Sequence, residues 1–134
     1  MNRFLLLSLC LSLGVNTELH SSLSSKIKYT IEKHAPVDAP AIKRFQKISV
    51  HYTGWISKKG LKGYQFDSSL RRGKPFTFYA GAGQVIVGWD QVVMDMKVGE
   101  KRLVIIPSEL AYGVRGSSSS HIPSNSDLIF EIEI

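Results

Sequence analysis

One stretch of this chain repeats with the period of a helix, while its other apolar residues mostly alternate with the period of a strand. After Gly88, the residues Trp89, Val92, Val93 and Met96 fall at i, i+3, i+4 and i+7, a single apolar stripe on a short helix. Asp90 and Asp95 lie off that stripe, and Val98-Gly99 supplies the glycine that helix C-termini favour. Elsewhere the period is two. Ile27, Tyr29 and Ile31 share one face, as do Ile48, Val50 and Tyr52, then Phe76, Phe78 and Ala80, and finally Leu128, Phe130, Ile132 and Ile134. Residues 103–106 form a continuous apolar run suited to a strand buried on both faces. Several half-apolar strands and one short helix bury their faces together when the sheet wraps the helix. The expected fold is therefore α+β, an antiparallel β-sheet curled around one short α-helix.

The connections follow from the residues that break these periods. Pro36 and Pro40 make 35–41 a loop. Gly54 permits a bend or bulge at the end of the second strand, 58–63 reads as a basic, glycine-containing loop, and a further strand is expected near 64–67. Gly81-Ala82-Gly83 reads as a turn, since no phosphate-binding glycine pattern follows it. Residues 117–120 form a polar serine loop ahead of Ile122-Pro123. With 134 residues the chain is long enough for one domain with its own core.

The N-terminus has a different character. Arg3 precedes an apolar run over residues 4–13 and a polar stretch over 16–25, the arrangement of a secretory signal. The run is shorter than the roughly 20 apolar residues of a bilayer span. Residues 1–24 are thus expected to be a signal peptide and short leader, with 25–134 as the domain and no stable membrane insertion after cleavage. Ser12-Leu13-Gly14 and Ser22-Leu23-Ser24 both suit a cleavage enzyme; an uncleaved anchor is the alternative. A lipoprotein fits poorly, because Leu9 stands before Cys10 where a small residue is wanted. The expected location is periplasmic or secreted. The ending Glu133-Ile134, which lacks a Lys-Asp-Glu-Leu-like signal, favours a bacterial periplasm over an endoplasmic reticulum lumen.

Most chemistries are excluded by what the chain lacks. Cys10 is the only cysteine and falls in the leader, so neither a disulfide nor thiol chemistry is expected in the mature domain. His20, His34, His51 and His121 are scattered, with no metal-binding spacing, so no metal site and no cofactor is expected. No Gly-x-Ser-x-Gly elbow marks a nucleophile. The net charge of +6 is dispersed over loops and strand ends and comes with no nucleic-acid reader motif, so nucleic acid is not an expected partner. No heptad pattern suggests a dimerisation arm, and a monomer is expected.

The order of motifs then becomes informative. His51-Tyr52-Thr53-Gly54, Phe66-Asp67-Ser68-Ser69, Val85-Ile86-Val87-Gly88-Trp89, Gly99-Glu100-Lys101-Arg102, Ala111-Tyr112-Gly113, Ile122-Pro123 and Phe130 follow one another. This order resembles the FKBP-type peptidyl-prolyl cis-trans isomerases over about residues 47–134. The resemblance implies the same fold and an isomerase of proline-containing polypeptides that accelerates proline-limited folding of exported proteins. It also implies a site. Trp89 would be the floor under the proline ring, Phe76 and Phe130 the walls, and Tyr52 and Phe66 the sides. Val85, Ile122 and Arg72 complete the substrate-binding set. The Ile86 N–H and the Tyr112 hydroxyl would donate to substrate carbonyls, with Asp67, steadied by Arg72 or Tyr52, the polar group near the twisting amide. Asp67, Tyr112, Trp89 and Phe130 are the catalytic set so implied, and rapamycin-type macrolides are implied ligands. A non-catalytic proline-binding module or chaperone using the same pocket is the alternative.

Some residues depart from the family pattern. Val92 replaces a common glycine, Gln46-Lys47 replaces a glycine-acidic pair, and His121 stands before Ile122 where an apolar residue is usual. The 56–65 segment reads as a longer loop than in the smallest members.

Overall fold

The computed structural model describes residues 26–134. The expectations for the leader, its cleavage, Cys10 and His20 lie outside the described residues. The chain runs β1 (Lys28–Lys33), β2 (Lys47–Lys58), β3 (Leu61–Ser68), α1 (Ser69–Arg72), β4 (Phe76–Tyr79), α2 (Val87–Met94), β5 (Lys101–Ile106), a 3-10 turn (Ser108–Leu110) and β6 (Leu128–Glu133). Six strands form an antiparallel sheet in the order β1-β5-β6-β2-β3, with β4 also paired to β2. The α+β architecture is the expected one, with α2 as the main helix.

The core lies between α2 and the inner face of the sheet. Ile48, Val50 and Tyr52 of β2 point inward beside Val104 and Ile106 of β5 and Leu128, Phe130 and Ile132 of β6. The α2 stripe of Trp89, Val92 and Val93, with Met96 just beyond it, is buried against them. Gly88 lets the helix sit this low. A Cβ there would stand 2.5 Å from Ile106 Cγ2 and 3.2 Å from the Leu110 carbonyl oxygen, so no larger residue fits without displacing the sheet.

Several elements differ from expectation, each for a physical reason. Residues 58–63 are not a loop. β2 continues to Lys58, and β3 starts at Leu61 after a turn in which Lys59 (φ 55°) and Gly60 (φ 85°) are both left-handed. Two such residues make the hairpin turn whose twist matches the flanking strands, so the 56–65 segment is a hairpin rather than a long loop. The register shifts flanking Trp55 place the irregularity next to Gly54.

Helix α2 ends at Met94 with Asp95 as its cap, so Gly99 is not its terminator. At φ 92° Gly99 instead makes the turn into β5. The helix end is fastened by Arg102, which donates to the Asp95 carbonyl (2.9 Å), to the Asp95 carboxylate (2.9 Å) and to Glu100. A cation there also complements the helix dipole. The 103–106 run is not buried on both faces, because β5 alternates, with Arg102, Val104 and Ile106 inward. β1 is largely exposed, and Tyr29 lies beneath the Arg102 guanidinium at 4.2 Å rather than in the core.

Candidate active site

Five elements bring the aromatic residues to one end of the sheet. β2 supplies Tyr52, β3 Phe66 and Asp67, β4 Phe76, α2 Trp89 and β6 Phe130. They surround a cavity of about 180 Å³ whose lining is completed by Gln84, Val85, Ile86 and Tyr112. Trp89 is the hub. Its ring meets Tyr52 edge-on at 4.8 Å (86°), Phe130 at 5.3 Å (84°) and Phe76 at 6.2 Å (75°), and Phe130 meets Phe66 at 5.6 Å (90°). Edge-to-face packing holds each ring at a fixed tilt. The buried Trp89 Nε1 has no hydrogen-bond acceptor among the described residues, so its N–H is an unpaired donor set among aromatic rings.

Gly54 has a role that bending does not explain. It pairs with both Phe130 and Asp67, and a Cβ there would lie 2.6 Å from Phe66 Cζ and 2.8 Å from Phe130 Cε1. The missing side chain is what lets those two rings meet.

The polar wall is a closed network. Tyr52 donates its hydroxyl to Asp67 Oδ2, Arg72 donates Nη1 to Asp67 Oδ1, and Arg72 Nη2 donates to the Tyr52 hydroxyl at 3.0 Å. The Ser68 N–H also donates to Asp67, at 2.8 Å. Partial burial would lift the Asp67 pKa, but the hydrogen bonds from Tyr52 and Arg72 and the Arg72 charge outweigh it and hold the carboxyl below its ordinary value. Burial, and then the hydrogen bond to Asp67, raise the Tyr52 pKa. Burial and the Asp67 charge raise that of Tyr112, which keeps its hydroxyl a donor.

Two expected residues do not line the cavity. Arg72 acts on it through Asp67 and Tyr52, and Ile122 is buried in the core cluster, held by paired backbone hydrogen bonds with Ser117. Three supporting residues lacked a sequence signal of their own. Ser69, fully buried on α1, accepts the Tyr52 N–H at 2.7 Å and lies 3.0 Å from His51 Nδ1. Asp90 of α2 accepts the N–H groups of Gly81 (2.9 Å) and Gly83 (3.0 Å), and Gln84 accepts that of Tyr79 (2.9 Å). These bonds pin the 81–83 turn that leads into Val85 and Ile86. Among the described residues, neither the Ile86 N–H nor the Tyr112 hydroxyl donates to a protein acceptor, so both remain available at the cavity wall. No three His, Cys, Asp or Glu side chains converge among the described residues as a donor set for a metal.

A family model described as FKBP-type peptidyl-prolyl cis-trans isomerase matches residues 39–134. FK506-binding protein 2 of Dictyostelium discoideum is 53% identical over 88 residues, which cover 66% of this chain and 62% of that protein. Peptidyl-prolyl cis-trans isomerase FKBP2 of Homo sapiens is 40% identical over 131 residues, 96% of this chain and 86% of that one. The crystal structure of AtFKBP13 superposes with a TM-score of 0.72 at 39% identity, covering 81% of this chain and 90% of that one.

Proposed function

The chain belongs to the FKBP-type peptidyl-prolyl cis-trans isomerase family, and from that we propose that its ring-walled cavity is where an Xaa-Pro amide is rotated. It is a peptidyl-prolyl cis-trans isomerase. The reaction breaks no bond. Its barrier of about 18–20 kcal/mol comes from amide resonance, and the planar amide is more charge-separated than the twisted one. A dry apolar cage therefore favours the twisted state relative to water. Trp89 would carry the proline ring between Phe76 and Phe130, with Tyr52, Phe66 and Val85 closing the sides. The Ile86 N–H and Tyr112 hydroxyl would orient substrate carbonyls, so that binding energy holds the peptide near the twisted geometry. Asp67 stays ionised, and its network with Arg72 and Tyr52 fixes the polar wall without moving a proton.

The observation that carries this reading is the pairing of aromatic walls with two unengaged donors at their edge. A protease-free isomerisation assay on several Xaa-Pro peptides tests it. Acceleration over the uncatalysed tens to hundreds of seconds is expected; a folded protein without acceleration would leave the proline-binding module or chaperone as the better reading.

The clients we propose are proline-containing segments of exported proteins, met by a monomer. The signal-like residues 1–24 support entry into a secretory route, and relatives from an amoeba and human favour a eukaryotic route over the periplasm. Mass spectrometry of the exported form should find a start between Val15 and Ser25. We also propose that rapamycin-type macrolides occupy the cage, a reading supported by relatives named for FK506 binding. Titrating rapamycin into the Trp55→Phe variant should change Trp89 fluorescence and inhibit turnover together. Saturating macrolide that alters neither would refute this assignment.

A further inference from the structure

We propose that this isomerase reads the charge of residues flanking its Xaa-Pro pair, selecting Asp or Glu there through a basic groove that adjoins the cage at Phe76. The inference rests on the cage being the site of isomerisation. The groove has a volume of about 500 Å³ and is lined by Arg72, Lys74, Pro75, Phe76 and Thr77. Phe76 belongs to both spaces, lining the cage as well as the groove, and is 36% exposed. A polypeptide whose proline is seated in the cage must leave it on both sides, and two extended residues span about 7 Å. The groove shares Phe76 with the cage, so it opens directly beside the cage wall.

The charge along it is of one sign. Residues 71–74 read Arg-Arg-Gly-Lys, and the neighbouring Asp67 carboxylate is already taken by Arg72 and Tyr52. Neither Arg71 nor Lys74 has a carboxylate partner among the described residues. The backbone at Lys74 is restrained on both sides. Gly73 turns the chain at φ 68° to end α1, and Pro75 restricts the residue before it to extended conformations. A hydrogen bond of 2.8 Å between Ser49 Oγ and Thr77 Oγ1 ties the groove floor to β2. A cation without a carboxylate partner, beside the cage wall, matches a carboxylate on the departing chain.

The test uses peptides identical except for Glu, Gln or Lys at each of the two positions on either side of the Xaa-Pro pair. At one or more of these positions kcat/KM should fall from Glu through Gln to Lys, by about twofold to fivefold per step, the scale of one exposed ion pair. The order should fade near 1 M salt, where the screening length shrinks to about 3 Å. Lys74→Glu should invert it. Lys28→Glu, an equal charge change on β1 at the far edge of the sheet, should preserve it. An order that is absent at all positions, that survives Lys74→Glu, or that Lys28→Glu inverts equally would overturn the inference. Turnover of the Gln peptides separates the two claims: folded protein that fails to turn them over overturns the cage reading and this inference with it, whereas turnover without a charge order overturns the inference alone.

Discussion

Ser69→Ala removes one oxygen and should destabilise the protein well beyond an ordinary serine substitution. Pairing of β2 with β4 ends at Val50, and pairing with β3 starts at Thr53. Between those points α1 interrupts the partner strand, leaving the Tyr52 N–H without a ladder acceptor on that side. Ser69 Oγ accepts it at 2.7 Å, and the same hydroxyl lies 3.2 Å from the Tyr52 carbonyl and 3.0 Å from His51 Nδ1. Ser69 is fully buried, so water does not replace it. An orphaned buried donor costs about 1–3 kcal/mol. At ~2 kcal/mol, a domain of this size should lose about 9 °C in Tm. Thermal and urea unfolding measure the loss, with isomerase activity read at low temperature where the variant stays folded. Because Tyr52 also holds Asp67, kcat/KM should fall as well, by less than about tenfold, the equivalent of 1.4 kcal/mol. A variant whose Tm stays within about 2 °C of the parent would refute the argument, since the penalty would then be absent.

If an apolar cage lowers the barrier, Phe130→Ala should lose far more turnover than Asp67→Asn, for which a loss within about tenfold is expected. Phe130→Ala also risks about 3–5 kcal/mol of stability, so circular dichroism must first show both variants folded; abolished activity in Asp67→Asn beside near-normal Phe130→Ala would reverse the mechanism. Because the folded Asp67 pKa is depressed, its contribution to stability is complete above the ordinary value of 3.8 and is lost as pH falls through the lower folded value. Acid unfolding of wild type and Asp67→Asn should accordingly differ near neutrality and converge at low pH. Gly88→Ala gains helix propensity of about 1 kcal/mol, yet its Cβ would meet Ile106 and the Leu110 carbonyl. Overpacking of about 1–3 kcal/mol should win and lower the urea midpoint.

The alternation of Ile48, Val50 and Tyr52, and of Leu128, Phe130 and Ile132, was enough to orient two central strands, and the Trp89 stripe located the helix. Those signals are legible because burial acts on side chains, and a side chain's polarity is written in the sequence. The hairpin at Lys59-Gly60 was not legible, because a lysine in the left-handed region carries no mark of its conformation. The end of α2 is not legible for a related reason: a buried Arg102 on the following strand, bonding back to Asp95, does the fastening expected of Gly99.

The candidate site divides in the same way. The motif order named the rings and Asp67 with its Tyr52 and Arg72 partners, while Ser69, Asp90 and the packing role of Gly54 went unassigned. Each of these three answers a feature that exists only once the strands are placed. Ser69 meets an N–H exposed by a gap between strands, Asp90 meets two N–H groups of a turn, and Gly54 clears space where two rings converge. Every non-proline residue carries the same N–H, so which ones lose their partners depends on where strands start and stop. The aromatic part of the cage can therefore be named before the fold is known, but the residues that hold it rigid can be identified only after the register of β2, β3 and β4 is in hand.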